Sequence, residues 1–459
     1  MMGPRQVAQG ALFYEFSIED HVPPDHLLRA MDRFVDLGDM RGHLAPFYSS
    51  TGRPSVDPEL MIRMLILGYA FGIRSERRLC EEVHLNLAYR WFCRLDLTDA
   101  VPDHSTFSKN RHGRFRDSDL FRHLFESVVA RCITEGLVGG ETFASDASLI
   151  RADANKQYAA PKAEWDPGRI DVTTAPRAVR EYLGVLDDAA FGAASEVRPK
   201  FTSFADPASQ WTGARKGPAF FAYSDNYLID TDHGVIVDVE ASRAIRTAEV
   251  GATRTMIDRT RDRFDLTPER LAADTAYGSG EMLGWLEARQ IEPHIPVIDK
   301  SERRDGTFSK AEFRYDPETD TYTCPGGKLL KKYWRELKTP RGGVGKSGFR
   351  RYFARKQDCS TCTLKAQCTP NQSTRKIDRH VHEAARDVAR RIATSDAYVE
   401  ASRRRKKVEM LFAHLKRILR LDRLRLRGPN GARDEFLLAA TAQNLRKLAK
   451  LIPGAPAPA

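Results

Sequence analysis

The order of strand-like and helix-like segments between residues 142 and 298 limits the choice of fold more than any other feature of the chain. Two apolar runs, at 220–229 and 235–239, flank the polar turn Asp-Thr-Asp-His-Gly, a pattern typical of a β-hairpin. The full order is strand, long connection, strand, strand, helix, strand, helix, strand, with the first strand at 142–147. Because tight turns join antiparallel strands and helical crossovers join parallel ones, this order predicts an α/β fold built on a mixed sheet with flanking helices.

The remaining elements of this region follow from the spacing of apolar residues. The connection at 153–195 is polar and is predicted to be mostly helical, with interruptions at Pro161, Pro167 and Pro176. Further along, we predict a helix at 247–264, a strand at 271–273, a helix at 279–290 and a strand at 294–298.

The region before this sheet, residues 1–135, is predicted to be entirely helical. At its clearest helix start, Asp57 provides an N-cap, Pro58 the first helical position and Glu59 an acid in the first turn. A further helix is expected from about Ser75, with an inward face formed by Leu79, Val83, Leu87 and Trp91.

The composition changes again after residue 300. Residues 301–375 contain four of the seven cysteines together with many glycine and aromatic residues, which predicts a small β-rich insertion. Helical spacing returns afterwards, and the Pro- and Ala-rich end is predicted to be disordered. The predicted domains are therefore 1–135, 136–300, 301–375 and 376–450, followed by a disordered tail at 451–459.

The chain is basic, with 73 Lys and Arg against 62 Asp and Glu, a formal net charge of +11 and a pI of about 9.3. Such an excess favours a polyanionic partner, although a solvated basic surface explains the charge equally well. Most of the excess lies in residues 401–427, where eleven basic residues face only Glu409 and Asp422 (11 − 2 = +9). A helix of this composition is either a nucleic-acid-binding element or a solvated surface.

The cysteine content and the hydropathy favour a reducing compartment and a protein without a membrane span. Seven cysteines in 459 residues are too few for a disulfide scaffold and fit a reducing environment. The first sixteen residues lack a signal-peptide pattern. The most apolar stretch, 60–73, contains Arg63 and is shorter than the roughly 20 residues that span a bilayer. We therefore expect a cytoplasmic protein with no membrane partner.

Two acidic residues fall at informative positions in the predicted sheet. Asp146 lies on the first strand, and Asp274 follows the fourth strand, at the end where α/β sheets usually bind ligands. Either residue alone is more typical of a turn or a helix cap. Adjacent strands of one sheet would nevertheless bring the two carboxylates together, and a third acid would complete a site for divalent cations.

A third acid is available in the basic segment. Glu409 shares one helical stripe with Arg405, Ala413 and Lys416. It is either a partner in an intrahelical ion pair, worth roughly a few tenths of a kcal/mol, or a metal ligand. In the second case Arg405 and Lys416 would be ready to bind phosphate oxygens.

These residues and several further segments resemble the DDE-class transposases of bacterial insertion sequences, which have an RNase H-like core. The segment of the first catalytic Asp is matched by Asp146 and the residues ADANK that follow, and the segment of the second by ADTAY around Asp274. Arg405, Glu409 and Lys416 fit the signature R-x3-E-x6-K, with Ser402 where the family usually has Tyr. The helical N-terminal domain of the family is matched by GRPSVDPEL at 52–60, GIRSER at 72–77 and PDHSTF at 102–107.

The resemblance implies a catalytic RNase H-like core at 136–300 and 376–450, interrupted by the insertion and preceded by a DNA-binding domain at 1–135. Asp146, Asp274 and Glu409 would then be catalytic and would bind two Mg²⁺ or Mn²⁺ ions, while Arg405 and Lys416 bind DNA. In-line displacement at phosphorus suits two metal ions about 3.5–4 Å apart, and Mg²⁺ prefers carboxylate oxygens. Because three ionised carboxylates repel one another without metal, we expect the site to order fully only with metal and DNA.

The expected function is metal-dependent cleavage and strand transfer at the terminal inverted repeats of a mobile element. The expected partners are double-stranded DNA, as element ends and as target, and a second copy of the chain in a homodimer on DNA. Two alternatives stay open: a non-catalytic DNA-binding protein descended from a transposase, and an RNase H-like nuclease without strand transfer.

Four cysteines form a separate candidate site for a structural Zn²⁺ ion. Only one C-x2-C pair is present, so buried reduced thiols are the alternative, and His380 and His382 are substitute ligands. The four are Cys324, Cys359, Cys362 and Cys368.

No nucleotide cofactor is expected. The segment Gly345-Lys346-Ser347 has Pro340 where a phosphate-binding loop requires glycine. The segment Gly278-Ser279-Gly280 has Leu283 where a dinucleotide fingerprint requires glycine.

Overall fold

The computed structural model describes most of the chain. The described residues are 16–52, 55–161, 164–185, 191, 200–213, 217–299, 303, 305–334, 343–345 and 348–452. The predicted disordered tail lies outside the described residues from 453 onward.

The described residues between 16 and 135 contain helices and no strand, as predicted. The α-helices are α1 (Ile18–His21), α2 (Leu27–Asp32), α3 (Met40–Leu44), α4 (Pro58–Ala70), α5 (Glu76–Leu85), α6 (Leu87–Phe92), α7 (His104–Arg111), α8 (Arg114–Asp117) and α9 (Leu120–Thr134). The predicted start of α4 is confirmed, because the Glu59 amide donates a hydrogen bond of 3.0 Å to the Asp57 side chain and Pro58 is the first helical residue.

The helix predicted from Ser75 through Trp91 is instead two helices, α5 and α6. Asn86 ends the first and caps the second, its side-chain oxygen accepting hydrogen bonds from the amides of Ala88 and Tyr89 at 2.9 and 3.2 Å. A single-helix prediction missed this break because the apolar spacing continues across a residue whose side chain competes for backbone amides.

The central region alternates strands and helices. Its elements are β1 (Thr142–Arg151), β2 (Ala159–Pro161), α10 (Arg177–Gly184), β3 (Phe201–Ser203), β4 (Gln210–Gly213), β5 (Ala219–Asp230), β6 (Ile236–Arg243), α11 (Arg246–Phe264), β7 (Arg270–Ala272), α12 (Gly280–Glu287) and β8 (Glu292–His294). The predicted hairpin is β5–β6, closed by a hydrogen bond of 2.9 Å from the Asp230 amide to the Val235 carbonyl.

Two predictions in this region were wrong. The described part of 153–195 has α10 as its only α-helix, because Pro161, Pro167 and Pro176 interrupt the helical spacing. The strand expected at 294–298 ends at His294, before Pro296, which has no amide hydrogen for a ladder.

The cysteine-containing region forms an antiparallel sheet. Its elements are β9 (Arg314–Asp316), β10 (Thr321–Thr323), β11 (Leu329–Lys331), β12 (Phe349–Ala354), α13 (Lys356–Ser360), α14 (Lys365–Cys368) and β13 (Lys376–His380), with the strands in the order β13-β12-β11-β10-β9. Three helices follow, α15 (Glu383–Ile392), α16 (Asp396–Arg417) and α17 (Pro429–Leu451). Among the described helices, none is both long and apolar enough to cross a membrane.

The chain divides into two compact units. The first contains residues within 1–139, 146–266 and 407–459, and the second residues within 140–145 and 267–406.

In the first unit, α17 is the central helix. It packs against α2, α4, α9 and β6, and residues 436–440 are all buried, as expected for a helical stretch in which every residue is apolar. Its buried Asn444 both accepts a 3.0 Å hydrogen bond from the Ile236 amide and donates one of 2.8 Å to the Ile236 carbonyl. This pairing satisfies the edge of β6, which would otherwise present unpaired backbone groups in the core.

The strands of the first unit include β4, β5 and β6, which pair with one another, and the short pair β2–β3. β5 pairs antiparallel with β4 and β6, and it neighbours β1. Buried ion pairs tie this sheet to helices: Asp238 of β6 accepts hydrogen bonds from Arg122 of α9 at 2.6 Å and from Arg259 of α11 at 2.8 Å. A buried carboxylate between two guanidinium groups is therefore part of the core.

In the second unit, the first residues of β1 pair in parallel with β7, and β7 pairs in parallel with β8. The antiparallel sheet β9–β13 has its own small core. That core consists of Phe313, Tyr322, Leu330, Tyr352, Ala354, Cys359 and Ile377.

Candidate active site and nucleic-acid surface

Asp146 lies in the middle of β1, in the part of the strand that belongs to the first unit. Its side chain is partly exposed, and Oδ1 accepts a hydrogen bond of 2.8 Å from the Ala147 amide. Phe143 and Ala144, just before it, are fully buried. The buried start of the strand thus anchors a carboxylate that solvent can still reach.

Asp274 follows β7 by two residues in the second unit and is exposed. It caps a short 3₁₀-helix, Thr275–Tyr277, by accepting a 2.7 Å hydrogen bond from the Ala276 amide. The capping role considered from the sequence is therefore real, and it fixes the carboxylate at the C-terminal end of the strand. In the register of β1 and β7, Ala144 pairs with Ala272. Asp146 and Asp274 each come two residues after this pair.

Glu409, Arg405 and Lys416 all lie on α16, as the helical prediction for this segment requires. Glu409 is exposed, whereas Arg405 and Lys416 are partly buried. Apolar residues at helical spacing lie beside them: Val408, Leu411, Leu415 and Leu419 are buried, but Ile418, just after the helix, is exposed.

Lys416 interacts with two carboxylates in the first unit. Burial lowers the pKa of its ammonium group, and the negative charges of Asp225 and Asp422 raise it. Asp225, on β5, is fully buried, and burial raises the pKa of its carboxyl well above the usual range. Burial is the larger effect, so the pKa of Lys416 is lowered overall, and the two carboxylates limit this loss of the cationic form that a phosphate contact needs.

The three predicted acids have the donor chemistry that a hard divalent cation requires, since all three supply carboxylate oxygens. Asp146 and Glu409 belong to the first unit and Asp274 to the second. Among the described residues, no group of three or more His, Cys, Asp or Glu side chains is arranged as a ready-made metal site.

Two family models match the chain. The model described as a transposase domain (DUF772) matches residues 16–113, and the model described as a transposase DDE domain matches residues 323–449. Both matches support an insertion-sequence transposase of the DDE class. The second match includes Glu409, whereas Asp146 and Asp274 lie outside both. No curated protein matches the chain.

The two matches have general implications for the fold, the partner and the use of metal ions. A DDE domain implies an RNase H-like fold, which agrees with the mixed helix-and-sheet structure and the helical N-terminal region. Transposases act on DNA, so DNA is the expected partner. DDE transposases generally use divalent metal ions.

The arginines of the helical N-terminal region fall into two groups by burial and pairing. Arg74, Arg111 and Arg116 have mostly buried side chains, and each pairs with an acid of the first unit. Their partners are Glu435, Glu76 and Glu181. By contrast, Arg77 and Arg78 are exposed at the start of α5. These three arginines therefore take part in buried ion pairs of the helical region, whereas Arg77 and Arg78 lie where a ligand can reach them.

Part of the basic segment 401–427 is also structural. The Lys407 Nζ donates to the carbonyls of Thr231 and Asp232 at 2.6 and 2.7 Å. Arg423 and Arg427 both bind Asp153, at 2.7 and 2.9 Å. Some basic residues of this segment therefore hold neighbouring loops in place, while others remain on the surface, where they can attract an anion.

The four cysteines of the second unit line one cavity of about 30 Å³. The Cys324 Sγ accepts a hydrogen bond of 3.3 Å from the Lys328 amide, and burial raises the pKa of the Cys368 thiol, with the other three sulfurs adding to the shift. His380 and His382, considered as substitute ligands, are not in this lining; a Cβ added to Gly280 or Gly284 of α12 would lie within 2.4 Å of one of the two rings.

Sequence reasoning missed two features of the first unit. One is Asp225, whose only signal is an acidic residue in the otherwise apolar and aromatic run of β5. The other is a cleft whose arginines come from two segments more than 300 residues apart, at 72–78 and 420–425, which no local pattern connects.

Proposed function

We propose that this transposase cleaves DNA at the ends of its element and joins the freed ends to a target, with Asp146, Asp274 and Glu409 as the metal-binding catalytic acids. The observation that carries the proposal is the register of β1 and β7, in which both aspartates follow the aligned pair Ala144 and Ala272 by two residues. Corresponding positions on neighbouring parallel strands suit two carboxylates that act on the same ions.

Each residue has a role that follows from its chemistry. The three carboxylates supply oxygen ligands, and their mutual repulsion is relieved only when cations bind between them. Bound divalent ions supply activation of the attacking hydroxyl and stabilisation of the leaving oxygen. Arg405 and Lys416 neutralise the phosphate charge, and the protein otherwise contributes positioning. The three residues suit divalent cations because all of them supply carboxylate oxygens. We propose that metal and DNA together draw the acids into their final arrangement.

The test is the substitution Asp146→Asn in the full-length protein. We expect cleavage of element-end DNA in Mg²⁺ to fall by several orders of magnitude while binding of the same duplex persists, because the change removes a ligand charge and keeps the side-chain shape. Asp171→Asn is the matched control, since Asp171 is exposed and caps a local turn through Thr173 and Thr174. Cleavage at the wild-type rate by the Asp146 variant would remove that residue from the mechanism.

The same assay separates the alternatives. A wild-type protein that binds element ends without cutting them is the non-catalytic descendant, and one that cuts without joining is the nuclease. We propose that the active form is a homodimer on paired ends, which light scattering of the protein–DNA complex would reveal as two chains.

For the cysteines we propose a structural Zn²⁺ ion. Thiolates are soft donors suited to Zn²⁺, and all four sulfurs border one small cavity. Within the described residues, the sheet β9–β13 has a core of seven buried residues, and small modules of this kind commonly need a metal to fold stably.

A further inference from the structure

A cleft of about 620 Å³ in the first unit has strongly basic walls. One wall is the loop from Gly72 to Ser75 with the first turn of α5, and the other is the segment 420–425. Five arginines line it against Asp153 and Asp422, a formal charge of 5 − 2 = +3. The arginines are Arg74, Arg78, Arg420, Arg423 and Arg425.

The backbone at the cleft is built for close approach. Gly72 has a φ of +68°, and a Cβ there would lie 2.8 Å from the Ile418 carbonyl oxygen. Only glycine permits this contact without strain. On the other wall, the Arg151 amide of β1 donates a hydrogen bond of 3.1 Å to the Asp422 backbone carbonyl. The Arg151 carbonyl accepts one of 2.7 Å from the Leu424 amide. The segment 422–424 is thereby held extended beside the strand.

Arg74, one of the lining arginines, has a side-chain donor without an acceptor. Its side chain is only 6% exposed, pairs with Glu435 and lies over the Tyr69 ring at 4.5 Å. Its Nη1 is buried and has no hydrogen-bond partner among the described residues. Because an unsatisfied buried N–H is costly, this atom marks a position where an acceptor is missing.

The outer side of the cleft carries further unsatisfied cations. Arg420 and Arg425 are exposed, and their side chains make no ion pair or hydrogen bond within the part of the chain that the structure describes. Arg423 is 58% exposed and is held by Asp153. Guanidinium groups arranged in this way match phosphate oxygens, which accept charge-assisted hydrogen bonds.

We propose that this arginine cleft binds the phosphate backbone of the DNA duplex at the element ends, an inference that rests on the proposed function. The described lining contains no aromatic side chain, so the stacking that holds single-stranded bases is absent there. The N-terminus of α5, ten residues long, also opens at Ser75 on this cleft and adds favourable potential for an anion. Contacts of this kind fix the position of a duplex rather than read its sequence.

The test measures the salt dependence of binding to an element-end duplex, by fluorescence anisotropy in EDTA so that no cleavage occurs. Each lost phosphate contact flattens the slope of log affinity against log salt by about 0.9, so Arg420→Gln with Arg425→Gln should flatten it by about 1.8. The control is Arg169→Gln, which removes one positive charge from a side chain that is 88% exposed and that pairs, among the described residues, with Asp166. We expect the control to keep the wild-type slope.

Conservative variants exclude a folding effect. Arg420→Lys with Arg425→Lys keeps both charges and should restore the wild-type slope, and thermal unfolding midpoints identify any variant that is destabilised. An unchanged slope in the double glutamine variant overturns the proposal, and so does equal flattening by Arg169→Gln, which would indicate a general charge effect.

The outcome for the cleft is separable from the outcome for the proposed function. If the wild-type protein cleaves element ends but the double glutamine variant keeps the wild-type salt slope, only the cleft proposal fails. If the slope flattens as expected but the protein never cleaves in Mg²⁺, the catalytic proposal fails and the cleft proposal stands.

Discussion

Replacing Asp225 by asparagine tests whether a buried charge pair supports Lys416. Asp225 is fully buried in β5, and neither of its oxygens has a hydrogen-bond partner among the described residues. The nearby Tyr227 hydroxyl instead donates to Gln443 at 2.9 Å. Burial raises the pKa of Asp225, and the nearby Tyr227 hydroxyl and then the positive charge of Lys416 oppose that shift. Lys416 is therefore the charge that compensates this carboxylate.

The expected magnitude follows from burial. Removing one partner of a fully buried pair typically costs about 3–5 kcal/mol. Lys416 is only half-buried, so its ammonium can recover some hydration, and we expect Asp225→Asn to lower the free energy of unfolding by about 1–3 kcal/mol. Lys416→Met should cost less, since Asp225 can take up a proton. With both charges removed, the loss should be smaller than the sum by about 1–2 kcal/mol, a factor of roughly 5–30 in the unfolding equilibrium.

The assay is urea unfolding of the wild type, the two single variants and the double variant at pH 7. The matched control is Asp206→Asn, because Asp206 is also fully buried but accepts hydrogen bonds from Tyr223 at 2.5 Å and from the Gly428 amide at 3.2 Å. Combined with Lys416→Met, it should give additive losses. Additivity of Asp225→Asn and Lys416→Met within about 0.3–0.5 kcal/mol would refute the pairing. If Asp225→Asn does not fold, rescue by Lys416→Met supports the pair, and failure to rescue contradicts it.

Two further predictions concern the two units separately. Asp238→Ala leaves the guanidinium groups of Arg122 and Arg259 without their shared carboxylate, so the free energy of unfolding should fall by about 3–5 kcal/mol in urea titrations; a loss below about 1 kcal/mol would contradict this reading of the core. Elemental analysis of protein purified without chelators should give one zinc per chain, reduced in Cys362→Ser, and a metal-free wild-type protein would reject the zinc site.

Local signals were sufficient where the chain's own neighbours determine the structure. The capping aspartate and first-turn proline at 57–58 located the start of α4, and the polar turn between two apolar runs located the hairpin β5–β6. Predictions from apolar spacing failed where a nearby capping residue or proline interrupted the helix. Asn86 split one predicted helix into two, and the prolines between 161 and 176 interrupted a region whose spacing had suggested helix.

The candidate catalytic residues were predictable as types and positions along the chain. A strand-borne Asp146, a strand-end Asp274 and a helix-borne Glu409 follow from the sequence pattern and the family resemblance, and the structure agrees with each of those local settings. Whether three such acids act on the same ions depends on long-range packing, and for that the sequence offers only the family signature.

By itself, the sequence determined the local elements and the net charge, because capping, turn geometry and apolar spacing act over a few neighbouring residues. Only the tertiary structure decided which charges are structural. Arg74 and Arg420 read alike as basic surface residues, yet one is buried against Glu435 and the other is exposed without a partner in the described chain. Burial and pairing are set by residues hundreds of positions away, so no local pattern of charge can distinguish an arginine that holds the core from one that can meet DNA.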